Sequence, residues 1–136
     1  MPTLTPTSAR VLLIDDEAGL RLTFACILGE VGYTVTPAAN GPEALRALTM
    51  DDYDLAYLDI RLPEMDGLMV LKEIHRLYPE LPVILITAHA SLQSAVEAVR
   101  LGATDYLLKP VAPAALIART QAVLDERAVL KRRRAL

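Results

Sequence analysis

Four short apolar runs in this chain each lead into side chains that can do chemistry. Val11-Leu12-Leu13-Ile14 is followed by Asp15 and Asp16, and Leu55-Ala56-Tyr57-Leu58 by Asp59. Val83-Ile84-Leu85-Ile86 is followed by Thr87, and Tyr106-Leu107-Leu108 by Lys109 and Pro110. Three carboxylates gathered in one place repel one another and raise their own pKa values, and a divalent cation relieves that repulsion. An all-oxygen donor set with no cysteine or histidine beside it suits Mg²⁺ or a similar hard ion, which typically shares its oxygens with a phosphoryl group. Lys109 is a compact cation suited to a phosphoryl oxygen, and Thr87 offers a hydroxyl. One carboxylate is then free to act as a nucleophile that forms an aspartyl phosphate. Asp59 is the best placed, at the end of a central strand between the acid pair and the Thr87/Lys109 side.

This chemistry needs the four runs side by side, and the segments between them show how that is done. The runs do not alternate apolar with polar residues, which marks strands buried on both faces. A weaker run, Tyr33-Thr34-Val35-Thr36, makes a fifth strand. Leu20, Phe24, Ile27, Leu28 and Val31 lie on one face of a helix that Gly32 stops. Pro42 suits the first turn of a second helix carrying Ala44, Leu45 and Leu48. Val70, Leu71, Ile74, Leu77 and Tyr78 stripe a third, closed by Pro79. Ser91 caps a fourth, with Leu92, Ala95, Val96 and Val99 expected inward and Gly102 at its end. Pro113 opens a fifth, with Leu116, Ile117, Val123 and Leu124 inward. Strand–helix alternation five times over predicts an α/β domain with right-handed crossovers. In such a sheet the ligand crevice lies at the carboxyl ends of the strands, where the chemistry-bearing residues are.

Length and composition narrow the function classes. A chain of 136 residues fits one domain, and 53% hydrophobic with 23% charged residues excludes a disordered chain. Cys26 is the single cysteine, so no intrachain disulfide framework and no CxxC metal or redox motif exists. No apolar run approaches the ~18 residues of a membrane span. A net charge of −3 argues against general nucleic-acid binding, with Lys131-Arg132-Arg133-Arg134 the one basic exception. That run reads as a solvated helix end, Cys26 as a packed helix residue, and His75 and His89 as a solvated and a loop residue. Asp66 and Gly67 read as a turn and helix start.

Four ordered segments carry a family resemblance. They are Leu13-Ile14-Asp15-Asp16-Glu17, Tyr57-Leu58-Asp59-Ile60-Arg61-Leu62-Pro63-Glu64-Met65-Asp66-Gly67, Ile84-Leu85-Ile86-Thr87-Ala88, and Gly102-Ala103-Thr104-Asp105-Tyr106-Leu107-Leu108-Lys109-Pro110. Together they resemble the receiver domain of two-component response regulators, over about residues 9–125. The wording Ile86-Thr87-Ala88-His89-Ala90-Ser91 is most similar to receivers of enhancer-binding transcriptional activators. The resemblance implies a doubly wound (βα)5 sandwich, flavodoxin-like and CheY-like, with a parallel five-stranded sheet in the order 2-1-3-4-5. It implies that Asp59 is the phospho-acceptor. It implies Mg²⁺ bound by Asp16 and Asp59, with Asp15 acting mainly through water and Arg61 giving its backbone carbonyl. Thr87 and Tyr106 resemble the switch pair, Lys109 the phosphate-binding lysine, and the bond to Pro110 is expected to be cis.

The function implied is a phosphorylation switch rather than an enzyme with a separate substrate. A sensor histidine kinase would supply the phosphoryl group, and the face of the fourth helix, fifth strand and fifth helix would control a partner, a homodimer or an output domain. No direct nucleic-acid or membrane contact is expected, and the setting is cytoplasmic. The expected organisation is a flexible lead over residues 1–9, a receiver over 10–125, and a charged extension of the fifth helix over 126–136 as a linker toward an output domain. A haloacid-dehalogenase-type phosphatase would want an acid two residues after a nucleophile on the first strand, whereas Asp59 is followed by Ile60 and Arg61. A flavin carrier on the same fold would need a phosphate-cradling loop where the first strand ends in two acids.

Overall fold

The computed structural model describes residues 9–135. Strands β1 (Arg10–Ile14), β2 (Thr34–Ala38), β3 (Leu55–Asp59), β4 (Val83–Thr87) and β5 (Asp105–Leu108) alternate with helices α1 (Ala18–Glu30), α2 (Gly41–Met50), α3 (Gly67–Leu77), α4 (Leu92–Arg100) and α5 (Pro113–Ala135). The strands form one parallel sheet in the order β2-β1-β3-β4-β5, as the resemblance implied.

Side chains along a strand point alternately to opposite faces, and here both faces are covered. Leu12, Ile14, Ala56, Leu58, Val83 and Leu85 pack with α2 and α3. Val11, Leu13, Leu55, Tyr57, Ile84 and Ile86 pack on the other side with Phe24 and Leu28 of α1 and Leu116, Val123 and Leu124 of α5. This two-sided burial is why the strands read as unbroken apolar runs. The chain winds from β1 outward to β2, then back across to β3, so the winding reverses between β1 and β3. Asp15 follows β1 and Asp59 ends β3, which puts both at that reversal.

Several details differ from the sequence expectations. Cys26, read as a packed helix residue, is exposed on α1, and Val31, placed on the apolar face of that helix, is its exposed C-cap. In α4, Leu92 and Val99 are 83% and 74% exposed, Val96 is exposed as well, and Ala98 is the buried residue. Periodicity shows that one side of a helix is apolar but not which side meets the sheet, and α4 sits on its small residues instead. Leu77 of α3 also points outward. At the start, Ala9 is buried and its carbonyl accepts the Thr34 N–H, so the packed domain begins there. Residues 1–8 of the expected lead lie outside the described residues.

Helix α5 runs unbroken past residue 125, and its extension touches the amino-terminal edge of the sheet. The Arg127 guanidinium donates to Asp54 Oδ1 at 3.1 Å and to the Tyr53 carbonyl at 3.4 Å, and Arg134 pairs with Glu80. Among the described residues no helix is long and apolar enough to cross a membrane.

Candidate phosphoryl-acceptor site

The carboxyl ends of β1 and β3 bring the acids together. One carboxylate oxygen from each of Asp15, Asp16 and Asp59 lies within 4.8 Å of the others. Their environments differ. Asp15 is 1% exposed and Asp59 is 6% exposed, because each stands at the carboxyl end of a strand whose preceding residues are buried. Asp16 is exposed and faces the crevice. Lys109 reaches across from the end of β5, donating from Nζ to Asp15 Oδ2 at 2.7 Å and to Asp59 Oδ2 at 2.9 Å. The Lys109–Pro110 bond that follows is cis.

The remaining oxygens are held by backbone. Asp15 Oδ1 accepts from the Glu17 N–H at 2.9 Å, and Asp59 Oδ1 accepts from the Arg61 N–H at 3.1 Å. Burial pushes the Asp59 carboxyl above its ordinary range, with the Asp15 charge adding to the rise and Lys109 and the Arg61 N–H opposing it. Burial works against the Lys109 ammonium, but its bonds to Asp15 and Asp59 outweigh that and hold it above the usual lysine range. The three hard carboxylates beside one ammonium are a donor set that fits a small divalent cation.

An open crevice of about 340 Å³ lies over the cluster, lined by Asp16, Glu17, Asp59, Arg61, Ala88, His89 and Lys109. Arg61 is exposed at its rim. Thr87 stands one residue beyond Ile86, the register partner of Asp59 in the neighbouring strand. Its side chain is fully buried, and its Oγ1 accepts the His89 N–H at 3.0 Å. Tyr106 does not join the acid cluster. It pairs in register with Leu85, and its hydroxyl lies 2.8 Å from Ser94 Oγ in α4.

Two supports of the site go beyond the residue types that pointed to it. Gly67 donates its N–H to the Ile60 carbonyl at 2.6 Å, and a Cβ there would sit 2.3 Å from the Asp59 carbonyl oxygen. That close approach lets the start of α3, capped by Asp66, brace the loop after Asp59. Arg21 of α1 donates to the Asp15 carbonyl at 2.8 Å. The Asp66-Gly67 turn was legible in sequence, whereas nothing in the spacing pointed to Arg21.

Comparison with known proteins agrees with this geometry. The family model of the response regulator receiver domain matches residues 11–121. The alginate biosynthesis transcriptional regulatory protein AlgB of Pseudomonas aeruginosa is 40% identical over 113 residues, covering 83% of this chain and 25% of that protein. The DNA-binding transcriptional regulator NtrC of Escherichia coli is 45% identical over 100 residues, covering 74% of this chain and 21% of that protein. The chain thus spans about a quarter of the length of these relatives. A response regulator receiver domain protein (CheY-like) from Methanospirillum hungatei superposes with a TM-score of 0.86 at 35% identity, covering 88% of this chain and 96% of the other. NtrX from Brucella abortus also superposes at 0.86, with 37% identity, over 94% of this chain and 30% of that one. With the family model matched over most of its length and a sheet of the same order, this chain belongs to the response regulator receiver domains of two-component systems.

Proposed function

We propose that this domain takes a phosphoryl group from the phosphohistidine of a sensor histidine kinase onto Asp59. The observation that carries the reading is the Lys109 ammonium bridging Asp15 and Asp59 beneath an open crevice, with Asp16 exposed alongside. An Asp59 carboxylate oxygen attacks phosphorus in line with the P–N bond. The O–P bond forms, the P–N bond breaks, and the imidazole leaves with the electron pair and takes up a proton. Lys109 stays beside the reacting carboxylate and offsets negative charge on the phosphoryl oxygens. Asp15, Asp16 and Asp59, with the Arg61 carbonyl, are the groups that would hold Mg²⁺. When bound, that ion supplies further positive charge against the phosphoryl oxygens.

Thr87 is the hydroxyl that would turn to the phosphoryl group, and Tyr106 the side chain that would change position in response. The surface to be remodelled is the α4-β5-α5 face. Leu92, Val96 and Val99 of α4 and Leu108 of β5 are exposed there, an apolar surface that supports pairing with a second copy in a homodimer. Cytoplasmic location and an output domain beyond α5 complete the reading, in line with the relatives named as transcriptional regulators.

Acetyl phosphate with Mg²⁺ tests the acceptor. Wild type should gain one phosphoryl group by intact mass, and Asp59→Asn should gain none. Equal uptake by the two proteins would place the nucleophile elsewhere.

A further inference from the structure

We infer that Ser94 is a positioning residue that holds Tyr106 in the unphosphorylated arrangement and ties it to the N-cap of α4. This inference rests on the phosphorylation reading above. Ser94 Oγ lies 3.2 Å from the Ser91 N, 3.0 Å from Ser91 Oγ, 3.1 Å from the Ser91 carbonyl oxygen and 2.8 Å from the Tyr106 hydroxyl. A serine hydroxyl has one proton and two lone pairs, so it satisfies three partners at most. The Ser91 N–H can only donate and the Ser91 carbonyl can only accept. Ser91 Oγ already accepts the Ser94 N–H at 3.0 Å. Of the four neighbours one must be left out, and the assignment that keeps Tyr106 leaves out the Ser91 O–H, which turns to solvent at the exposed helix start, and forms a chain. The Tyr106 hydroxyl donates to Ser94 Oγ, Ser94 donates to the Ser91 carbonyl, and the Ser91 N–H donates back to Ser94 Oγ.

Ser91 ends the short loop that begins at Thr87, and the Thr87 hydroxyl accepts the His89 N–H inside that loop. The hydroxyls of Thr87 and Tyr106 therefore bond to opposite ends of one short stretch of chain, at His89 and through Ser94 at Ser91. If Thr87 turns to a phosphoryl group on Asp59, the His89 N–H loses its acceptor, and the strain passes through Ser91 to Ser94 and Tyr106. Helix α4 is suited to respond. It buries Ala98 while Leu92, Val96 and Val99 stay exposed, so little apolar packing holds it, and the Ser94–Tyr106 bond is a polar tie from its first turn to β5.

A bond present only in the unphosphorylated arrangement opposes the switch, and by linkage its removal favours the phosphorylated one. Beryllofluoride with Mg²⁺ serves as the phosphoryl mimic, titrated by calorimetry against wild type, Ser94→Ala, Tyr106→Phe and the double variant. Each single variant should bind beryllofluoride about fivefold more tightly, the worth of one ordinary hydrogen bond. The double variant should gain about fivefold as well, not about twenty-five-fold, because both changes remove the same bond. Tyr106→Phe leaves the Ser91/Ser94 cap intact, so its effect cannot come from a weakened helix end. If wild type binds the mimic and the single variants bind it equally well, or if their effects multiply, the latch is wrong. If wild type itself does not bind beryllofluoride, the phosphorylation reading falls and the inference falls with it.

Discussion

Replacing Lys109 by methionine keeps most of the aliphatic stem and removes the ammonium. The side chain bridges two carboxylates, at 2.7 Å to Asp15 and 2.9 Å to Asp59, that are 1% and 6% exposed as residues. A hydrogen bond to a charged group is worth roughly 1.5–3 kcal/mol, and removing one partner of a buried pair costs roughly 3–5 kcal/mol. Proton uptake limits that cost, because the Asp59 carboxyl is already pushed up by burial and can neutralise itself. We expect a loss of about 3 kcal/mol at pH 7 without metal. At ~3–5 °C per kcal/mol for a domain of this size, that is a fall in Tm of roughly 10–15 °C. A divalent cation replaces the missing positive charge, so Mg²⁺ should raise the Tm of Lys109→Met by more than it raises that of wild type. Differential scanning calorimetry with EDTA and with Mg²⁺ reads both effects. A metal-free Tm within about 2 °C of wild type would show that the bridge is not holding two buried charges. Equal Mg²⁺ increments would show that the lysine and the cation do not serve the same carboxylates.

Asp16→Ala should leave the metal-free Tm unchanged or slightly raised, because Asp16 is exposed and its loss relieves repulsion in the triad, while its Mg²⁺-dependent rise in Tm should shrink. An unchanged Mg²⁺ response would remove Asp16 from the ligand set. Burial pushes the Tyr57 hydroxyl up to about 12, against a bond to Thr120 that lowers it. The folded value lies above the unfolded one, so this contribution is complete below about pH 10 and is lost as pH climbs toward 12. That amounts to about 3 kcal/mol, and Tyr57→Phe should flatten the loss in urea melts at stepped pH. Sedimentation with and without beryllofluoride and Mg²⁺ should show a dimer whose strength changes between states, weakened by truncation after Asp125. A monomer at high micromolar concentration in both states would show that the α4-β5-α5 face serves another protein.

The sequence by itself determined the order of elements and the identity of the chemistry-bearing residues. Both follow from local rules: strands buried on two faces read as apolar runs, and a parallel sheet turns its strand ends toward one edge. Asp15, Asp16, Asp59, Thr87 and Lys109 were legible because each directly follows or ends such a run. Tertiary structure alone decided how those residues divide their work. Asp15 and Asp16 are neighbours in the chain, yet one is sealed beneath Lys109 and the other open to the crevice, because successive residues leave the strand in different directions. The same holds for α4, whose apolar side turned out to face solvent while Ala98 meets the core. A helical stripe records that a face is apolar, but what covers it depends on partners far away in the chain. Arg21 beneath Asp15, Gly67 against Asp59 and Ser94 against Tyr106 are contacts of that kind. Each side chain has an ordinary local role, as surface cation, helix start or capping residue, and acquires its second role only when the sheet brings a distant strand end beside it.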